Sequence, residues 1–276
     1  MNQVQYARAQ SFQWVVSTKN TAGQPMALIK PLMNSPAVME VWYEPGYVKE
    51  VHQHPMDEIF FILKGGMMMH GKELTQGSAI FVPGNTLYGP EYALEEGTHF
   101  LRVELWDTED GRPGGAGGQI APGVGKYTAY DGVLDPDGLP KTGGATTPPP
   151  MADRTLDPVE GSFNALAEDV DWTDLEVPGS DGVVKLSLKR LFHPNPDLEE
   201  VQRHHGDSLP PRGGDLDRVF YVIDGEITIN GHKLDKGSAL FIPKNVDYQS
   251  QTTGVDGVHY IRVVLEDCKS LASRLA

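Results

Sequence analysis

The second half of this chain repeats the first at one fixed distance. Gly65-Gly-Met-Met-Met-His-Gly corresponds to Gly225-Glu-Ile-Thr-Ile-Asn-Gly, Gly77-Ser-Ala-Ile-Phe-Val-Pro to Gly237-Ser-Ala-Leu-Phe-Ile-Pro, and Gly97-Thr-His-Phe-Leu-Arg-Val to Gly257-Val-His-Tyr-Ile-Arg-Val, each pair 160 residues apart. One offset held by three separated blocks predicts two copies of one domain. Within the first copy, short apolar segments recur at Val38 to Tyr43, Val48 to His54, Glu58 to Leu63, Met67 to His70, Ser78 to Val82 and His99 to Leu105, separated by Gly and Pro. Many short strands between such turns predict an all-β sandwich or barrel.

Between the copies the composition changes to Gly-Arg-Pro-Gly-Gly-Ala-Gly-Gly and later Gly-Gly-Ala-Thr-Thr-Pro-Pro-Pro, which argues against a packed core. The expected division is an N-terminal arm at 1–37, a first barrel at 38–107, a Gly/Pro-rich linker at 108–160 and a second barrel at 161–276. The arm reads as irregular, with coil around Pro25, Pro31 and Pro36 that covers a barrel edge or a partner subunit. In the linker, Tyr127, Tyr130 and Leu134 are the residues able to dock on a barrel surface.

The chemistry concentrates between Gly46 and Gly65. On a strand His52 and His54 share a face while Gln53 points away. A bend at Pro55-Met56 then returns the chain so that Glu58 faces the two histidines. Two neutral imidazoles and a carboxylate suit a divalent first-row metal, with coordination positions left open. The spacing resembles the first motif of the cupin superfamily: Gly, five residues, His-x-His, three residues, Glu, six residues, Gly. A second cupin motif follows from Gly77 through Pro83, with Asn85 in place of its glycine and Tyr88 where a fourth ligand histidine would stand. By this resemblance the chain is a bicupin, covering about 38–106 and 183–266. The resemblance implies two cupin-type jelly-roll β-barrels in tandem, and one divalent metal per chain on His52, His54 and Glu58, with Fe(II) favoured over Mn, Ni or Zn.

The second copy lacks these ligands, for the 160-residue offset lands on Arg212, Gly214 and Arg218. His204 and His205, with Asp215 or Asp217, are its other candidates, but adjacent histidines on a strand face opposite ways, so a solvated loop is the expectation. Tyr88 has three roles open to it: a metal ligand, a structural hydroxyl shared with Tyr248, or a catalytic hydrogen-bond donor and acid/base, the role ranked first. A hairpin from Tyr88–Leu94 to His99–Leu105 would hold His99 far from the metal as a structural residue. His70, at a His-Gly step, reads as a turn residue. Phe60, Ile62, Met67 and Met69 are expected to line an apolar substrate pocket, and Arg102 to form an ion pair, with Glu104 or Asp217 as the candidate acids.

With 23 basic against 38 acidic residues the formal charge is −15, with no basic run, which speaks against nucleic acid and anionic membrane as partners. The one cysteine, Cys268, excludes an internal disulfide. No stretch has the length of a signal-peptide core or a membrane span, so a cytoplasmic protein is expected. Cupins with this ligand set include dioxygenases. The resemblance therefore implies a non-haem iron dioxygenase for a small phenolic or dicarbonyl, enolisable substrate in the first barrel. The alternatives are a metal-dependent isomerase or lyase of a sugar acid or similar polar metabolite, and a non-enzymatic binding bicupin. A homodimer is the expected assembly.

Overall fold

In a computed structural model, the structure describes residues 4–34, 36–105, 127–141, 163–180, 182–192, 197–252 and 255–265, and nearly all its regular structure is strand. The first copy contributes β2 (Val15–Lys19) to β11 once β1 (Gln5–Ala7) has passed: β3 (Pro25–Asn34), β4 (Ala37–Tyr43), β5 (Val48–Lys49), β6 (Asp57–Met69), β7 (Lys72–Thr75), β8 (Ala79–Val82), β9 (Glu91–Leu105), β10 (Thr128–Ala129) and β11 (Phe163–Ala165). The second contributes β12 (Thr173–Pro178), β13 (Val183–Phe192), β14 (Asp197–Arg203), β15 (Ser208–Arg212), β16 (Asp217–Ile229), β17 (His232–Asp235), β18 (Ala239–Ile242), β19 (Tyr248–Thr252) and β20 (Val258–Leu265).

The described chain divides into two units, one within Phe12–Ala167 and the other within Met1–Ser11 and Glu168–Cys268. Each holds one antiparallel sheet. The first runs β10-β2-β3-β4-β9-β6-β8-β11, with β5 on β9 and β7 on β6; the second runs β1-β18-β16-β20-β14-β13-β12. The bounds of β4, β6, β7 and β8 recur in β14, β16, β17 and β18 at the same 160-residue step. The cores recur with them: Phe60, Ile62, Met67, Met69 and Tyr88 occupy the first, and Phe220, Val222, Ile227, Ile229 and Tyr248 the second. Burying each such side chain contributes ~1.5–3 kcal/mol relative to exposure.

The outermost strands cross between the repeats. β1 pairs with β18 in the register Gln5↔Phe241 to Ala7↔Ala239, and β11 pairs with β8 in the equivalent register Phe163↔Phe81 to Ala165↔Ala79. A backbone N–H beyond each strand donates to the matching serine, Ala9 to Ser238 Oγ (3.4 Å) and Ala167 to Ser78 Oγ (3.0 Å). The segment leading into each repeat thus covers the edge strand of the other, which would otherwise expose unpaired backbone groups.

Several expected elements take another form. The arm is not coil, because β2 and β3 belong to the first sheet. Pro25 opens β3 and Pro31 sits at a register shift, positions where the missing N–H does no harm. Strand Val48–His54 stops at Lys49, and His52 pairs only with Tyr88 in an isolated bridge. The segments 58–63 and 67–70 join in β6, and the proposed hairpin is instead the single 15-residue strand β9. Bulges keep both strands continuous: Gly65 and Gly97 have φ of 72° and 77°, and a Cβ on Gly65 would stand 2.1 Å from the Gly97 carbonyl oxygen. From the expected linker, β10 pairs with β2, and Leu139 is buried with Trp14 and Trp42, whereas Leu134 is 45% exposed. The remainder of the expected linker, apart from 127–141, lies outside the described residues.

Candidate metal and substrate site

The His52–His54 segment is held by the turn that carries the second motif. His52 and Tyr88 exchange backbone hydrogen bonds of 3.0 and 2.9 Å, and the Asn85 N–H donates to the His54 carbonyl at 2.6 Å. Asn85 has φ of 59°, a left-handed conformation that asparagine tolerates, which explains how it replaces a glycine. His52 Nδ1 lies 2.8 Å from the Glu50 carbonyl oxygen, so the proton belongs on Nδ1 and Nε2 carries the lone pair. The two imidazole centroids are 5.1 Å apart, and Nε2 of each ring is buried without a hydrogen-bond partner. Burial, then the charges of Arg102 and Lys49, lower His54 to about 3, so it is a neutral imidazole at neutral pH.

Glu58 is engaged elsewhere than at these rings. It is fully buried on β6; Arg102 Nε donates to its Oε1 at 2.8 Å, a second guanidinium nitrogen of Arg102 reaches the same oxygen, and the Tyr88 hydroxyl donates to its Oε2 at 2.6 Å. Arg102 also lies 3.1 Å from Glu104, so the expected ion pair forms with Glu58 as well as Glu104, and not with Asp217. Burial and the charge of Glu58 push the Tyr88 phenol well above its usual range, so it stays protonated as a donor. Its ring packs 4.3 Å from the His52 ring and 6.0 Å from Phe60.

A second carboxylate faces the histidines. Glu91, fully buried at the start of β9, accepts a 2.7 Å hydrogen bond from the Tyr43 hydroxyl on Oε2. Its Oε1 lies 3.2 Å from His52 Nε2 and 3.9 Å from Lys49 Nζ, yet has no hydrogen bond. Burial favours the protonated acid, but Lys49, His52 and Tyr43 outweigh it and bring Glu91 to about 2. His70, at φ 52° in the turn after β6, is 4% exposed with neither ring nitrogen hydrogen-bonded.

Of the expected pocket residues, Phe60, Ile62, Met67 and Met69 are at most 1% exposed in one cluster with Tyr88. His99 reaches Glu40 at 3.1 Å and meets Trp14 edge-on at 5.9 Å. His259 repeats the arrangement with Glu200 at 2.7 Å and Trp172 at 6.0 Å. His204, His205 and Asp215 are exposed, and Asp217 accepts the Lys244 N–H at 2.6 Å as Asp57 accepts that of Gly84. Glu91 is the residue that sequence reasoning missed. Its signal was an acid beside the apolar run Tyr92-Ala93-Leu94 whose repeat partner is Gln251.

A divalent metal is implied by the motif, and these residues fit it in part. His52 and His54 offer neutral, unpartnered, buried nitrogens, whereas both Glu58 oxygens are taken. Among the described residues no three His, Cys, Asp or Glu side chains are already gathered into a metal-holding group.

No protein-family model matches the chain, and no curated protein matches it. Solved structures do. Oxalate decarboxylase of Lactobacillus farciminis, in a formate complex, is similar with a TM-score of 0.64 at 13% identity over 96% of this chain and 87% of that one. A variant of Bacillus subtilis oxalate decarboxylase has a TM-score of 0.61 at 12% identity, covering 97% and 78%. A proposed dioxygenase of Nostoc punctiforme has 0.59 at 12%, covering 98% and 85%. These neighbours are cupin-family proteins with two barrels, and with two repeated antiparallel sheets this chain has their fold, that of a bicupin.

Proposed function

We propose that the chain is a metal-dependent enzyme of cupin type that acts on a small molecule at the His52–His54 end of the N-terminal barrel. The observation that carries this reading is the pair of buried, unpartnered ring nitrogens on His52 and His54. They stand beside an apolar core, and the other barrel has Arg212 and Gly214 at the same positions. A divalent ion there would supply Lewis acidity and open coordination positions for substrate oxygens and, as iron, for dioxygen.

The chain's own residues have definable tasks. His54, neutral at neutral pH, and His52 would hold the ion. The protonated Tyr88 hydroxyl orients Glu58, and through its ring braces His52. Val51 and Leu87, 40% and 54% exposed next to His52 and Tyr88 in the sequence, would give a substrate approaching there an apolar contact suited to an aromatic or enolisable molecule. On this ground a non-haem iron dioxygenase for a small phenolic or dicarbonyl compound is the activity we favour. A metal-dependent isomerase or lyase of an acidic metabolite is the second reading. It is favoured by the cations Lys49 and Arg102 near the site and by the similarity to oxalate decarboxylases, of which that of Bacillus subtilis has Mn(II) centres. We further take the active form to be a homodimer, which light scattering would test.

The test is metal content per chain of protein purified without added metal, beside His52→Ala/His54→Ala, followed by oxygen uptake with phenolic and dicarbonyl substrates. About one iron per chain that the double variant lacks, with oxygen consumption, is the expected result. Manganese with turnover and no oxygen uptake would move the assignment to the lyase. No metal in either protein after reconstitution would overturn both.

A further inference from the structure

We propose that the carboxylate completing the metal-binding group is Glu91, and that Glu58, which occupies the motif's acidic position, serves instead as the counter-ion of Arg102. This rests on the metal reading above.

The first observation concerns Glu58. Its two oxygens are filled by Arg102 and Tyr88, and drawing it to a metal would leave a buried guanidinium with only Glu104 at 3.1 Å. The other barrel shows what the arginine requires. Arg262, the counterpart of Arg102, pairs with Glu199, which comes from β14 rather than β16. Glu199 stands where the first barrel has Met39, and Arg218 where it has Glu58. The carboxylate changes strand while the pair persists, although the second barrel has no histidines at the motif positions. An arginine at this repeat position, buried as Arg102 or half-buried as Arg262, therefore comes with an acid whether or not a metal motif is present.

The second observation concerns Glu91. Tyr43 holds Oε2 and leaves Oε1 free of hydrogen bonds, 3.2 Å from His52 Nε2. With one His52 proton placed on Nδ1 by the Glu50 carbonyl, His52 Nε2 and Glu91 Oε1 meet as two buried acceptors whenever the ring is neutral. Such a pair is unfavourable unless a cation joins it, either a second proton on His52 or a metal ion bound by both. His54 Nε2 is the third buried polar atom without a partner, on a ring 5.1 Å from that of His52. Carboxylate oxygen and two imidazole nitrogens form a donor set for Mn(II), Fe(II) or Zn(II). The hydrogen bonds from Tyr43 to Glu91 and between His52 and the Glu50 carbonyl are the supporting contacts that metal ligands ordinarily have. The whole set is particular to this barrel: the positions of Tyr43, His52, His54 and Glu91 are Arg203, Arg212, Gly214 and Gln251 in the other.

The experiment is Mn2+ titration of the full chain by calorimetry and electron paramagnetic resonance, with Glu91→Gln, Glu58→Gln and His52→Ala/His54→Ala. Circular dichroism and melting report whether each variant is folded. We expect one Mn2+ per wild-type chain, an affinity about tenfold or more weaker in Glu91→Gln, and a change within about threefold in Glu58→Gln, whose melting temperature falls. Where Glu91→Gln does not fold, Glu91→Asp, which keeps the charge but withdraws the oxygen, is expected to weaken binding in the same order. Loss of binding in Glu58→Gln with retention in the Glu91 variants would overturn the assignment. Binding that depends on the two histidines but on neither acid would overturn it while leaving the metal reading intact. A wild-type chain that binds no Mn2+, Fe2+ or Zn2+ would remove both.

Discussion

The two barrels share one set of polar contacts and differ in another. Both set a histidine against a glutamate and a tryptophan, His99 with Glu40 and Trp14 in a buried position, and His259 with Glu200 and Trp172 in a more exposed one. In both an aspartate accepts the backbone N–H of the following turn, and an asparagine with φ near 60° stands in that turn. Only the N-terminal barrel has unpartnered ring nitrogens at its motif histidines and the ionised Glu91 beside them. At the position of Tyr43 the C-terminal barrel has Arg203, which donates to Ser250 Oγ at 2.9 Å and to the Asp207 carbonyl at 2.8 Å. Contacts present twice hold the fold, and contacts present once are those free to serve a function. Tyr88 falls on both sides of that division: Tyr248 repeats its place in the core, but the hydrogen bond from Tyr88 to Glu58 has no counterpart, because Arg218 stands at that position.

This comparison can be broken most forcefully at the arginines. Arg102→Met removes the guanidinium that neutralises Glu58 and Glu104, and should cost ~3–5 kcal/mol of stability in urea unfolding. Arg262→Met, at a side chain 27% exposed against 10%, should cost less, ~1–3 kcal/mol. A larger loss at Arg262 would show that the two ion pairs are not equivalent. Next in size, His99→Ala and His259→Ala each remove one partner of a buried glutamate and should each cost ~1–3 kcal/mol in the same assay. If only one is destabilising, the shared contact is not a shared requirement. Smaller still, Asn85→Ala and Asn245→Ala should each lower stability by ~1 kcal/mol through their positive φ, while glycine at either position should stay within about 0.5 kcal/mol. The comparison is sharpened at the site itself. Arg212→His/Gly214→His gives the C-terminal barrel two histidines but no counterpart of Glu91, and metal analysis should find no additional ion per chain.

The duplication and the all-β class were legible because turn glycines and strand alternation are local properties, and the 160-residue step survives in them. The ligand candidates His52 and His54 were legible from spacing. What Glu58 does was not, because its partners Arg102 and Tyr88 are 44 and 30 residues away and only the folded sheet brings them to its two oxygens. Glu91 was missed for the same reason, since a strand-opening acid has no motif around it. The continuity of β9 was hidden by Gly97, which reads as a turn residue but acts as a bulge inside one strand. Pro25 and Pro31 likewise suggested coil where a strand tolerates them at its start and at a register shift.

The exchanged outer strands carry a consequence for the order of assembly. As the chain is synthesised, β1 emerges about 230 residues before its partner β18, an interval of roughly ten to fifty seconds at ordinary translation rates. β11 emerges only after β8 has already been made, so the N-terminal unit can receive its covering strand while the C-terminal sheet does not yet exist. Completion of the second sheet therefore waits on a segment translated before the entire first barrel. A circularly permuted chain that begins at Phe12 and carries residues 1–11 after residue 268 would remove that delay, and the time from completed synthesis to folded protein in cell-free translation, beside that of the natural order, measures what the wait contributes.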